Sequence, residues 1–180
     1  MPTKLDSLLA QLTKAQFDFL RAADAVAASA WKTRPTAERW SAAEVVAHLI
    51  MVERAVIEKA DRVSQKSPKR IPLLKKTHLP MALVELRLVR RRSPLPLDAG
   101  LLRGKEEMLA ELREARERTR AFLEETRERD LSGYWWPHPA LGMLSLHGWI
   151  RFIAAHEVRH AKQMSEIVAN LPKIVEGLQK

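Results

Sequence analysis

A chain of 180 residues with 46% hydrophobic and 29% charged side chains carries enough apolar material for one well-cored domain and is short for two. The absence of cysteine excludes disulfides and thiolate ligands, so a transition metal would have to be held by His, Asp, Glu or water. Six glycines and a single tyrosine argue against a sheet-rich fold, and the net charge of +9 is local, because residues 62–92 hold ten basic side chains against one acid, Glu85, while the remainder balances.

Polar residues interrupt every apolar run near the N-terminus, and no window reaches the roughly 18 apolar residues of a membrane span, so a cytoplasmic protein is expected. Leu5, Leu8, Leu9, Leu12, Phe19, Leu20, Ala23 and Val26 predict a first amphipathic helix over about Lys4 to Ser29. Ala30 to Trp40, with Pro35, Trp31 and Trp40, reads as a loop packed across one end of a bundle. Ser41-Ala42-Ala43-Glu44 is a capping box that starts a second helix, whose stripe is Val45, His48 with Leu49, Val52, Ala55 with Val56, Ala60 and Val63. His48 therefore falls on or beside the buried side. Glu44, one turn before it, is either a cap alone or also an acceptor for the His48 ring.

From Lys66 to Leu97 the pattern weakens among prolines 68, 72, 80, 94 and 96, with room for a short helix between Met81 and Arg92. The Arg90-Arg91-Arg92 run and the lysines before it are either a solvated basic connection or an attractor of phosphate, carboxylate or a nucleic-acid backbone. Aromatic residues do not interleave with these charges, which weakens a single-strand binding role. A third long helix is expected over about Leu101 to Arg129, with Met108, Leu109, Leu112, Ala115, Thr119, Phe122 and Leu123 inward and a Glu/Arg face in solvent. Asp130 to Met143 reads as a rigid aromatic and proline-rich loop that either walls a pocket or plugs the core end.

Ser145 to Ala169 then places Leu146, Trp149, Ile153, His156, His160, Met164 and Ile167 at steps of three and four, one stripe of a helix that Pro172 is expected to end. Two histidines one turn apart are either satisfied core residues or a chelating pair, since their Cβ atoms stand about 5–6 Å apart. His156, Glu157 and His160 also spell the H-E-x-x-H of zinc proteases, but Glu157 is rotated about 100° from His156 and so away from the stripe. The four stripes predict an all-α four-helix bundle, a fold that builds metal sites from side chains on facing helices. In it His48, His156 and His160 would offer three nitrogens and leave one position open, as catalytic sites do. His78, His138 and His147 are read as non-ligands, with His138 the nearest to such a pocket.

Trp40 to Leu49, WSAAEVVAHL, together with HPALGMLSLHGWIRFIAAHEVRHAKQM at His138 to Met164, resembles the DinB/YfiT-like superfamily of bacterial four-helix bundle proteins. That resemblance spans the chain in element order. It implies that His48, His156 and His160 bind a divalent metal, zinc or nickel. It also implies the chemistry of relatives that are thiol S-transferases using bacillithiol or mycothiol, or a thiol-dependent maleylpyruvate isomerase. Lacking cysteine, this chain would borrow its thiol from a low-molecular-weight cofactor, whose carboxylates the basic connection could receive. A homodimer and a small electrophilic substrate belong to the same expectation. The rival reading is a non-catalytic, stress-related bundle that holds a metal or ligand without turnover; nucleic-acid binding ranks last.

Overall fold

The computed structural model describes residues 3–68, 80–85, 100 and 102–177, and among them four long helices form the expected bundle. Helix α1 spans Lys4–Asp24, α2 Ala42–Ser64, α4 Lys105–Glu125 and α5 Leu146–Gly177, with a one-turn helix α3 at Ala82–Glu85. Most of the basic connection, including His78 and Arg90 to Arg92, lies outside the described residues.

Helix starts follow the local chemistry. Thr3 with Asp6 and Ser41 with Glu44 each form a capping box, so that two orphan donors at each N-terminus are answered by side chains. Helix α1 stops at Asp24, earlier than the stripe suggests, and a 3₁₀ turn at Ala28–Ala30 carries the chain into the Trp31 loop. Trp31 is sealed in the core among Phe19, Val45 and Leu109, so this loop closes a bundle end as expected.

Two expectations need correction. The stretch before α5 is a β-hairpin rather than an irregular loop: β1, Trp135–His138, pairs antiparallel with β2, Gly142–Ser145, in register Trp136↔Leu144 and His138↔Gly142. Pro139-Ala140-Leu141 make a three-residue turn closed by Gly142 at φ 87°, a conformation that favours glycine. Trp136 and Leu144 face inward while Pro137 is exposed, the alternation of a half-buried ribbon. The last helix also continues past Pro172 to Gly177, because a proline deletes only one N–H of the ladder and need not end a long helix.

Inside, α1 packs chiefly along α5 and α2 along α4, with α2 also against α5. No described helix is long and apolar enough to cross a membrane.

Candidate metal centre

Helix α2 delivers His48 two turns after its N-cap Ser41, and α5 delivers His156 and His160 from consecutive turns. The three imidazoles meet. Their ring centroids lie 4.5–5.2 Å apart, and one ring nitrogen from each falls within 4.8 Å of the others. His48 Nε2 stands 3.2 Å from His156 Nε2, which stands 3.1 Å from His160 Nε2.

This cluster cannot satisfy itself with protons. A ring nitrogen has one in-plane position, occupied by either a hydrogen or a lone pair, so His156 Nε2, facing a ring nitrogen on each side, makes a full bond to one neighbour and at best a weakened, shared one to the other. His160 Nδ1 lies 2.9 Å from the Gln163 amide oxygen, which can only accept; Nδ1 therefore carries the hydrogen and Nε2 presents a lone pair. His48 Nδ1 is buried with no hydrogen-bond partner. A divalent cation accepting three Nε2 lone pairs resolves the frustration. Two nitrogens in a tetrahedral shell at about 2.0–2.1 Å from zinc are roughly 3.3 Å apart, close to the two spacings just given, and the His48 and His160 nitrogens lie within 4.8 Å of each other. The donor set thus fits a borderline-soft divalent ion with a position left for another ligand.

Burial keeps His48 and His156 in the neutral form that a metal would require. Loss of water pulls the His48 pKa down to about 4, and desolvation, aided by its neighbouring histidines, holds His156 well below the ordinary value. Aromatic rings flank the cluster on both sides. Trp40 lies 5.0 Å from the His48 ring and stacks on His160 at 6.5 Å, while Phe152 stacks on His156 at 5.0 Å. Behind Phe152 the hairpin contributes Trp136, stacked on Trp149 at 5.1 Å, and His138, 4.5 Å from Phe152 and 5.0 Å from Trp149. The aromatic stretch read as either wall or plug therefore flanks the histidines.

Glu44 acts as a cap. Its carboxylate accepts from Ser41 N and Oγ and pairs with Arg34, which together outweigh burial and hold its pKa below the usual range. It accepts no hydrogen bond from His48, whose Nδ1 is left without a partner. His147, with its Nδ1 buried and unpartnered, also stays outside the cluster.

Glu157 turns away from the three histidines, as its rotation required, but into a second buried surface rather than toward water. There Arg116, fully buried, donates from Nε to Glu53 at 2.8 Å, from Nη2 to Glu157 at 2.8 Å and from Nη1 to the Leu12 carbonyl at 2.6 Å. Thr119 adds a hydroxyl to Glu53 at 2.7 Å. The protease role for Glu157 is thereby lost, since its carboxylate serves Arg116. The solvent face assigned to the Glu/Arg-rich third helix likewise has an exception in Arg116. The signal was available: Leu112, Arg116, Thr119 and Leu123 share one stripe, as do Leu49, Glu53, Val56 and Ala60, so opposite charges sit at core positions of two facing helices. A cavity of about 10 Å³, room for one water, lies between the two clusters and is lined by Glu53, Glu157 and His156.

Known proteins resemble this chain. Uncharacterized protein YuaE of Bacillus subtilis (strain 168) is 31% identical over 136 residues, covering 74% of this chain and 80% of the relative. A crystal structure of TT2238, described as a four-helix bundle protein, superposes with a TM-score of 0.57 at 22% identity, covering 91% of this chain and 99% of that one, a likeness of fold. A family profile described as the DinB superfamily matches residues 11–164, which take in most of α1, all of α2, α4 and the hairpin, and every histidine of the cluster. By that match, the chain belongs to the DinB superfamily.

Proposed function

We propose that this protein is a cytoplasmic, divalent-metal-dependent enzyme of the thiol S-transferase type, with His48, His156 and His160 holding zinc or nickel. The observation that carries the metal is the convergence of three Nε2 atoms whose contacts no arrangement of ring protons can satisfy. Such an ion lowers the pKa of a bound thiol or polarises a carbonyl at neutral pH. This chain's residues do the rest: Gln163 fixes the His160 tautomer, burial keeps His48 and His156 unprotonated, and Trp40 and Phe152 exclude water from the flanks. With no cysteine in the chain, the thiol comes from a low-molecular-weight cofactor and the substrate is a small electrophile.

Purified without a polyhistidine tag, the protein should contain one zinc or nickel per chain by mass spectrometry, and His160→Ala should lose it. Equal, negligible metal in both overturns the reading. The metal-loaded protein should also accelerate consumption of a small thiol by an electrophile. A second reading, a bundle that binds a metal or ligand without turnover, is favoured by the size of the cavity touching His156, about 10 Å³. Full metal occupancy with no thiol consumption would select it.

A further inference from the structure

His138 sits at the end of β1, in the wall behind Phe152, and its ring is held in one tautomer. Its Nδ1 accepts two backbone N–H groups across the hairpin turn, from Ala140 at 3.0 Å and Leu141 at 3.1 Å. A nitrogen that accepts carries no hydrogen, so the proton of the neutral ring resides on Nε2. Among the described residues Nε2 makes no hydrogen bond, whereas the neighbouring Trp149 gives its indole N–H to the Trp136 carbonyl at 3.1 Å. One aromatic ring connects this donor to the cluster: Phe152 meets the His138 ring at 4.5 Å and the His156 ring at 5.0 Å.

Resting on the reading of the histidine cluster as a cation site, we propose that His138 Nε2–H is a fixed, uncharged donor for an anionic oxygen of the molecule held there, a carboxylate or the oxyanion that develops on a carbonyl. A donor locked by its own backbone needs no reorganisation when charge appears, the condition under which a single hydrogen bond counts most. Burial, which lowers the His138 pKa to about 4, keeps the ring neutral near pH 7.

Two substitutions separate this role from simple support of the turn. The side-chain oxygen of Asn occupies the place of Nδ1, so His138→Asn keeps the turn bonds and deletes the distal donor. The amide nitrogen of Gln reaches the place of Nε2, so His138→Gln keeps the donor and loses the turn bonds. The full chain is loaded with cobalt(II), whose visible spectrum reports ligand exchange, and titrated with acetate as the probe. His138→Asn should weaken acetate binding about tenfold or more while melting like the wild type, whereas His138→Gln should bind within about twofold and melt earlier. The two variants thus rank oppositely in the two measurements. Acetate affinity that is unchanged in His138→Asn, or that follows melting temperature, overturns the inference while leaving the cation site standing. Failure of the wild type to take up cobalt overturns both.

Discussion

Adjacent residues of α5 belong to opposite kinds of buried polar cluster. His156 joins uncharged rings whose nitrogens have more neighbours than bonds, while Glu157 joins a charged group in which Arg116 is answered by two carboxylates and a carbonyl. The charged cluster ties all four long helices together, through Leu12 of α1, Glu53 of α2, Arg116 of α4 and Glu157 of α5. The charged cluster is held by complementary charge and fixes how the helices pack, with only Glu157 Oε1 left without a partner beside the small cavity, whereas the three rings have no opposite charge to hold them together and offer lone pairs to a cation. This division predicts that stability and metal binding can be damaged separately.

The largest effect should come from Arg116→Ala, which strands Glu53 and Glu157 without a counter-charge in the core. Breaking a buried pair in this way costs about 3–5 kcal/mol, so the urea midpoint should fall steeply or the protein should fail to fold. A loss below about 1 kcal/mol would show that the cluster is not the architectural one.

The two clusters should next be distinguished by pH in the metal-free protein. His48 has a folded pKa of about 4 against 6.5 unfolded, so the unfolded chain binds the extra proton between those values. Its contribution, on the order of 3 kcal/mol, is present above pH 6.5 and is lost as pH falls toward 4. Glu157 runs the other way. Burial raises its pKa to about 7, Arg116 pulling back only in part, so its contribution is present below 4.5 and is lost as pH rises through 7. Urea midpoints across pH 4–8 should therefore fall on the acid side less in His48→Gln than in wild type, and should lose less on the alkaline side in Glu157→Gln. Identical profiles for all three proteins would refute the contrast.

How much of this could be read beforehand follows from the same difference. The histidines announced themselves because a capping box fixes the phase of α2 and an i, i+4 pair fixes that of α5, both local signals. Arg116 did not, because a helix rich in Glu and Arg invites a solvent reading, and only its partners on two other helices make it a core residue. The hairpin hid for another reason: strands of four residues, one containing Pro137, are too short to display alternation, and the turn was marked only by Pro139 and Gly142. Gly142→Ala tests that mark. It should cost about 1–2 kcal/mol from strain at positive φ and disturb the wall that carries His138, measured by thermal melting.

The smallest effect on folding should come from the change most damaging to function. His160→Gln keeps a polar side chain of similar size at a site 6% exposed and removes a lone pair from a cluster that its own protons cannot satisfy. Metal-free stability should therefore stay within about 1 kcal/mol of wild type, while bound metal by mass spectrometry falls to background. Wild type should also gain thermal stability on adding zinc, by mass action on the folded state, and His160→Gln should not. If the substitution instead destabilised the metal-free protein as severely as Arg116→Ala does, the histidines would be structural members of the core, and the separation between packing and chemistry along α5 would fail.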